Sequence, residues 1–354
     1  TFKMLKNLYQ KEEKSLINNT KKFIIMFISV IIPTYNRLST LLKCLQNISN
    51  QSIDTENYEV IVVDDCSSDE TQDYFKNHST DYTNISYIRN NPNKGLASSR
   101  NVGIRAAKGD ILVFLDNDLL VNFNFLEEHL KHHKAEKNIA LVSDITYQPE
   151  DLEKTNFGRY IQSRAIGYRS AKNMRNIDTN NLPGNFFAGG GSSCKRDDAF
   201  KIGLFDENLK KYGSEDELFG HRLKKENVRI KYCKEAKIIH YDSNILPQYW
   251  KIKFIELGRY SFKYLAESND SLITDSLFKF FTKINWEKDS LKTKTFKTLI
   301  SIATFSFFRI PIEKFVFLTD SNKNLYMPLL YRYLTASWVK FGYRSNKTIK
   351  EVTY

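Results

Sequence analysis

Two aspartates one residue apart, Asp116 and Asp118, directly follow the apolar run Ile111–Leu115. Carboxylates at this spacing can bind one hard divalent cation and the groups it holds, because Mg²⁺ and Mn²⁺ prefer oxygen ligands. A solvated turn that caps the next helix is the alternative, since such pairs also arise by chance. The position just after a buried strand favours a metal site, with Asn117 between the two acids.

A second acidic pair, Asp64 and Asp65, follows the apolar run Tyr58–Val63. A carboxylate at this point could accept hydrogen bonds from a nucleobase or a ribose. The alternative is that the pair caps the next helix, which Ser67 and Glu70 predict through their capping-box spacing.

Three further segments carry groups with possible chemistry. Asn93–Asn101 contains Lys94 and Arg100 at a predicted helix N-terminus, a feature that attracts phosphate, although an ordinary loop is the alternative. Gly213–Glu217 begins another helix with three acids. They either cap that helix or supply a general base for an acceptor hydroxyl, with a neighbouring carboxylate to orient the acceptor. His240 follows a predicted strand and is either a third metal ligand or structural.

Other motifs narrow the possibilities. His129, His132 and His133 share one predicted helix, and we interpret them as a solvated face because no Glu completes a zinc-protease motif. The sequence contains no P-loop, no dinucleotide-binding glycine pattern after the first strand and no G-x-S-x-G elbow.

The elements around these residues predict an α/β fold. From Phe27 to about Tyr147, short apolar runs alternate with helical periods, which indicates βαβ units and a mostly parallel sheet flanked by helices. Ligands bind at the carboxyl ends of such strands, where the acidic pairs lie. After about Ile245 the pattern becomes helical, aromatic and basic. We therefore predict an N-terminal extension (1–26), a catalytic domain (27–245, with halves at about 27–147 and 148–245) and a helical C-terminal region (246–354).

Composition limits the partners. The 354 residues carry a formal net charge of +12, which favours an anionic partner such as nucleic acid, acidic lipid or a phosphorylated substrate, unless it is only a solvated basic surface. Four cysteines without a CxxC pair suit a reducing cytosol. No segment is long and apolar enough to span a bilayer. The aromatic C-terminal region could pack as a core, or contact anionic lipid, an acceptor or a second copy.

In their order, these motifs resemble those of family 2 glycosyltransferases with the GT-A fold. The resemblance covers about residues 27–242, and Cys66 stands where Gly or Ala is more usual. It rests on Ile28–Arg37, Val62–Asp69, Asn93–Asn101, Phe114–Asp118, Gly189–Ser192, Gly203–Glu207 and Gly213–Asp216, the last of which resembles the E-D motif of a galactosyltransferase-like group.

The resemblance implies an inverting transfer of a sugar from a nucleotide sugar, UDP by preference, to a hydroxyl group, with Mn²⁺ or Mg²⁺ as cofactor. For the nucleotide, it implies a pocket lined by Pro33, Tyr35 and Arg37, a contact of Asp64 or Asp65 with uracil or ribose, and binding by Lys94 and Arg100. For the metal and the donor sugar, it implies Asp118 and His240 as metal ligands, Asp116 with Asn117 in contact with ribose or sugar beside the metal, and close approach of the backbone at Gly189–Gly191, with Gly190 at the centre. For the acceptor, it implies Asp216 as the base and Glu215 as the residue that positions the acceptor.

The implied partners are a nucleotide-sugar donor and a glycan or lipid-linked glycan acceptor, as in polysaccharide biosynthesis, without nucleic acid. We expect a cytoplasmic protein with peripheral contact to the inner face of the membrane through residues 246–354. The alternatives are a basic nucleic-acid-binding protein without catalysis, a non-catalytic sugar-binding relative, and a peptide or protein glycosyltransferase of the same fold.

Overall fold

A computed structural model describes residues 26–78, 83–152, 154–164, 177–211, 213–241, 245–268, 270–274 and 277–345. The predicted N-terminal extension therefore lies outside the described residues, apart from Met26. Among the helices of these ranges, none combines the length and the apolar character that crossing a membrane requires.

The described strands form one sheet that carries the site. Their bounds are β1 Ile28–Thr34, β2 Tyr58–Asp64, β3 Ile85–Arg89, β4 Ile111–Phe114, β5 Leu119–Val121, β6 Ile139–Tyr147, β7 Ser192–Lys195 and β8 Arg229–His240. In the described part of the chain they are ordered β3-β2-β1-β4-β7-β6-β8-β5. Buried β-branched and aliphatic residues fill β1, β2 and β4, as their continuous apolar runs predict.

The sheet is mixed, whereas the sequence predicts a mostly parallel one. β1, β2, β3 and β4 are parallel to one another, as the βαβ pattern predicts. However, β7 runs antiparallel to both β4 and β6, and the short β5 runs antiparallel to β8. The two predicted strands Val228–Tyr232 and Lys237–His240 fall in one strand, β8. A bulge in this strand shifts its register against β6 between Ser143 and Asp144.

Helices cover both faces of the sheet and then continue into the C-terminal region. Their bounds are α1 Leu38–Ile48, α2 Thr71–Asn77, α3 Leu96–Ala106, α4 Phe125–Ala135, α5 Pro149–Leu152, α6 Asn156–Arg164, α7 Arg196–Lys201, α8 Glu215–Lys225, α9 Pro247–Leu257, α10 Lys263–Glu267, α11 Ser271–Thr274, α12 Leu291–Ala303, α13 Ser306–Thr319 and α14 Pro328–Arg344. A π-helical turn, Gly258–Phe262, joins α9 to α10, and a 3₁₀ turn, Leu277–Phe281, follows α11.

The predicted capping box is wrong. Helix α2 begins at Thr71, and its N-cap residue Glu70 makes no side-chain capping bond, whereas Asp69 Oδ1 accepts from the backbone N–H of Thr71 at 3.2 Å. Ser67 instead accepts a hydrogen bond at its Oγ from the backbone N–H of Asn36 at 2.9 Å. Ser67 therefore ties the β1 turn to the β2 turn and leaves the helix to start later.

The C-terminal helices pack onto the sheet domain. Trp338 of α14 is fully buried in a cluster with Phe157 of α6 and Ile245. Helix α9 lies against α14 so closely that a Cβ on Gly258 would come 2.0 Å from the carbonyl oxygen of Val339. The C-terminal region thus shares a core with the rest of the chain, while the predicted boundary at residue 245 stays a prediction.

Candidate active site

A cavity of about 1520 Å³ lies beyond the carboxyl ends of the strands. Residues that follow β1 and β4, together with the end of β8, line one side of it. Helices α9 and α14 of the C-terminal region line the opposite side. This is the place where an α/β sheet binds its ligands.

Asp118 and His240 meet in this cavity because of strand pairing. In the antiparallel pair of β5 and β8, Leu119 lies opposite His240, and the backbone N–H of Tyr241 donates to the carbonyl of Asp118. Asp118 Oδ1 lies 3.7 Å from His240 Nε2, too far for a hydrogen bond. On its other side, Arg37 Nη1 donates to Asp118 Oδ2 at 3.3 Å.

The donor set fits a divalent cation. Burial raises the pKa of Asp118, and the neighbouring charge of Asp116 adds to that shift. Two carboxylates and an imidazole nitrogen that share one cavity are ligands that Mn²⁺ accepts. A cation there would offset the burial of the charge on Asp118.

Arg100 bonds to three acidic side chains of the cavity. Its guanidinium is only 1% exposed and donates to Asp216 Oδ1 at 2.7 Å, to Asp116 Oδ1 at 3.0 Å and to Glu215 Oε1 at 3.2 Å. Arg100 therefore positions acidic side chains in the cavity, while its predicted contact with the nucleotide stays a prediction.

Two glycines let the backbone approach this cluster. A Cβ on Gly189 would lie 2.4 Å from Asp216 Oδ1, and a Cβ on Gly190 would lie 2.3 Å from Asp116 Oδ2. Both contacts are shorter than any that a real side chain makes. The glycine run therefore packs directly against the two aspartates.

Burial raises the pKa of both Glu215 and Asp216, and the like charge of Asp116 raises both further. The charge of Asp216 also raises the pKa of Glu215, whereas a hydrogen bond with Glu215 lowers that of Asp216. The guanidinium of Arg100 opposes both shifts. A backbone hydrogen bond at Gly189 also lowers the pKa of Asp216. Asp216 thus has the environment of a carboxylate that can take up a proton.

Some of the predicted nucleotide residues lie in the cavity wall and others do not. Among the predicted residues, the lining includes Pro33, Arg37, Asn117 and Gly190 beside the acids. Tyr35 and Lys94 are exposed and lie outside the lining of this cavity.

Asp64 and Asp65, the acidic pair at the end of β2, both accept hydrogen bonds from other parts of the protein. Asp64 is fully buried and pairs with Arg89 and with the hydroxyl of Tyr87. Asp65 accepts from the backbone N–H groups of Lys94 and Gly95, both at 2.8 Å. These contacts tie the two aspartates to β3 and to the Lys94 loop, and the expectation that Asp64 or Asp65 binds uracil or ribose stays a prediction.

The interpretation of the three histidines as a solvated face is wrong for two of them. His129 and His133 are buried and both contact Ser193 Oγ, at 2.7 Å and 2.9 Å, while His129 also contacts Ser143 Oγ at 3.0 Å. Helix α4 therefore uses its histidines to satisfy hydroxyl groups of β6 and β7.

The sequence analysis missed the wall that α9 provides. Tyr249, Trp250 and Lys253 line the cavity, and Lys253 lies over the rings of the other two at 4.7 Å and 5.2 Å. Burial lowers the pKa of Lys253 to about 8, and the carboxylates of Asp118 and Asp116 oppose that shift. The helical spacing of Tyr249, Trp250, Lys253, Phe254 and Leu257 is the signal that could have marked this face.

Comparisons with known proteins point to the glycosyltransferase class. The model of glycosyl transferase family 2 matches residues 29–200, just under half of the chain. The predicted recognition is therefore confirmed, while the galactosyltransferase-like E-D motif stays a prediction.

Two similar proteins illustrate the relationship. Chondroitin synthase of Escherichia coli is 30% identical over 246 residues, which are 63% of this chain and 36% of that protein. The uncharacterized glycosyltransferase YfnE of Bacillus subtilis is 27% identical over 254 residues, 60% of this chain and 64% of that protein. The chain thus spans less than two thirds of either relative.

A solved structure shows the fold. The mannosyltransferase PcManGT from Pyrobaculum calidifontis, in complex with GDP-Man and Mn²⁺, has a TM-score of 0.54 at 17% identity and covers 89% of this chain and 87% of its own. The GT-A-like fold predicted from the sequence is confirmed, with the mixed sheet described above.

Proposed function

We propose that the chain transfers a sugar from a nucleotide sugar to a hydroxyl group of a glycan, with inversion and with a divalent cation. The observation that carries this proposal is the convergence of Asp116, Asp118, Asp216 and His240 on one cavity at the edge of the sheet. The relatives support the transferase class, and the GDP-Man and Mn²⁺ bound to PcManGT support a nucleotide sugar and a metal.

Asp118 and His240, with Asp116 beside them, would hold Mn²⁺ or Mg²⁺. When bound, such a cation neutralises the charge that develops on a diphosphate leaving group. Arg37 and Lys253 bring two further positive charges to the same cavity. We assign them to the phosphate oxygens of the donor, since charged donors bind phosphate most strongly.

Asp216 is the proposed base. It accepts the proton of the acceptor hydroxyl while the hydroxyl oxygen bonds to the anomeric carbon, and the nucleoside diphosphate leaves with the electrons of the broken bond. A single displacement of this kind inverts the anomeric centre. Arg100 opposes the rise in the pKa of Asp216 and aligns its carboxylate, and Glu215 orients the acceptor.

The donor is a UDP sugar in this proposal, on the resemblance alone, and the acceptor is a glycan. A peptide acceptor is the variant of the same chemistry that an acceptor screen distinguishes. The alternative of a basic nucleic-acid-binding protein depends on the net charge alone, and the family match favours the transferase.

The test is a screen of UDP sugars and GDP sugars for hydrolysis in the presence of Mn²⁺. We expect Asp118→Ala to lose metal-dependent nucleotide binding, and Asp216→Asn to retain binding but lose turnover. Asp197→Asn, at an exposed aspartate of α7, is the matched control and should behave as the unmodified chain. Full activity of Asp118→Ala would refute the metal assignment, and loss of nucleotide binding by Asp216→Asn would refute the base assignment.

A further inference from the structure

Helix α13 buries two charged side chains and exposes large apolar ones. Arg309 and Glu313 point inward, where they are 6% and 8% exposed and pair with each other at 2.8 Å. Phe315 and Leu318 point outward and are 45% and 86% exposed. A helix on a water-exposed surface normally turns its charges outward.

Helix α12 repeats this arrangement. Lys297 is buried and pairs with Asp289 at 2.7 Å. Leu299 and Ile302, by contrast, are more than half exposed. Two consecutive helices therefore expose large apolar side chains while each buries a side chain of an ion pair. We call this the outward apolar face, and its members are Leu299, Ile302, Phe305, Phe307, Phe315 and Leu318.

The outward apolar face lies in a segment whose exposed charges are mostly basic. Between residues 277 and 325, a stretch that the structure describes throughout, one acidic side chain, Glu287, is exposed. The exposed basic side chains of the same stretch are Lys279, Lys283, Lys288, Lys292, Lys314 and Lys323. Apolar side chains with basic flanks are the combination that binds an anionic lipid surface.

An aromatic turn connects α12, which carries part of the face, to the wall of the cavity. The 3₁₀ turn Leu277–Phe281 places Phe278 and Phe281 in the cavity wall. Its Phe280 packs against Phe296 of α12, with ring centroids 5.4 Å apart. The lining of the cavity and the outward apolar face are thus joined by one aromatic turn.

We propose that the outward apolar face docks on an anionic bilayer as a peripheral contact. A symmetric pairing with a second copy would bring the basic segments of the two copies together, and repulsion between like charges disfavours this. Docking places the cavity rim beside the membrane. The importance of that placement for catalysis rests on the proposed function, but the docking itself does not.

The experiment measures co-sedimentation of the full chain with vesicles of phosphatidylcholine alone and of phosphatidylcholine with phosphatidylglycerol in equal amounts. We expect binding to the anionic vesicles only. The double variant Phe307→Gln/Leu318→Gln should bind roughly tenfold or more weakly, because each apolar side chain contributes to the transfer from water. Phe123→Gln, at a 60% exposed phenylalanine before α4, is the matched control and should bind as the unmodified chain.

A second readout uses Trp286, which is 75% exposed beside the outward apolar face. Its emission should shift to shorter wavelength when anionic vesicles are added, and the shift should vanish in Trp286→Phe. Lys292→Glu/Lys314→Glu should weaken binding to anionic vesicles.

Three results would overturn the proposal. They are no binding to anionic vesicles, equal binding by the Phe307→Gln/Leu318→Gln variant, and a concentration-dependent dimer that this variant abolishes without any vesicle binding. Donor hydrolysis in vesicle-free buffer, measured on the same samples, distinguishes failure of docking from failure of the transferase assignment.

Discussion

Replacing Arg100 by Gln tests how the acidic cluster is held. Arg100 is buried and bonds to Asp116, Glu215 and Asp216. Without the guanidinium, three carboxylates would lose the buried cation that they share. Arg105→Gln is the matched control, because Arg105 lies on the same helix and pairs with Glu207 at the surface.

The expected cost follows from burial. Removing one partner of a buried charge pair destabilises a protein by about 3–5 kcal/mol. We expect the lower end for Arg100→Gln, because Asp116 and Asp216 are 38% and 26% exposed and solvent screens part of their repulsion. Arg105 and Glu207 are 54% and 44% exposed, so their pair contributes about 1 kcal/mol or less.

The pH dependence of this loss has a definite sign. Burial already raises the pKa of Glu215 and Asp216 above the unfolded values, and Arg100 holds that rise down. Its removal raises both further, so the folded state retains protons that the unfolded state releases. Stability then falls as the pH rises from the unfolded pKa, about 4, through the folded one. The deficit of Arg100→Gln should therefore be smaller at pH 5 than at pH 8.

Urea denaturation at several pH values, with Arg105→Gln in parallel, measures this difference. In an activity assay the acid limb of the pH–rate profile of Arg100→Gln should move to higher pH. The reasoning fails if Arg100→Gln is as stable as Arg105→Gln at pH 8, or if its deficit grows towards acid pH.

Three further predictions concern the cavity and the core. Gly190→Ala should weaken nucleotide binding in Mn²⁺ by roughly tenfold, because its Cβ would displace Asp116; calorimetry with UDP measures this, and unchanged affinity would contradict it. Lys253→Met should weaken UDP binding by about 1.5–3 kcal/mol if the ammonium bonds to phosphate, while an equal affinity would remove Lys253 from the donor site. Burial lowers the pKa of His129 and His133 to about 3. Between about pH 6.5 and pH 3 the two rings therefore take up protons in the unfolded chain but not in the folded one. The free energy of unfolding should fall by up to about 1.4 kcal/mol for each ring and for each unit by which the pH drops in this range. His133→Gln should flatten that slope in thermal denaturation, and an unchanged slope would contradict the assignment.

The sequence predicted those parts of the site that local patterns determine. Strands β1 and β4 are continuous apolar runs that are followed by polar residues. This pattern predicted that Asp116 and Asp118 lie at the edge of the sheet, just after β4. The parallel half of the sheet followed from the same alternation.

The missed parts depend on contacts between distant segments. The partners of Arg100 lie 16 to 116 residues away along the chain, and no local pattern indicates that one guanidinium will meet three carboxylates. His129 has helical spacing that fits a solvated face equally well, and only its contact with Ser193 makes it a core residue. The wall formed by α9 is set by packing against α14, which a sequence pattern does not specify.

The proposed metal ligands depend on the register of the smallest strand of the described sheet. Strand β5 has three residues, and its pairing with β8 places Leu119 opposite His240. Because side chains alternate between the faces of a strand, a slip of one residue in this pair would turn the imidazole away from Asp118. Tyr241 opposes such a slip, since its backbone N–H donates to the carbonyl of Asp118 and its hydroxyl donates to the carbonyl of Thr40 at 2.6 Å. The hydrogen bonds that fix this edge of the sheet therefore also fix the distance between a carboxylate and an imidazole that the proposed chemistry requires.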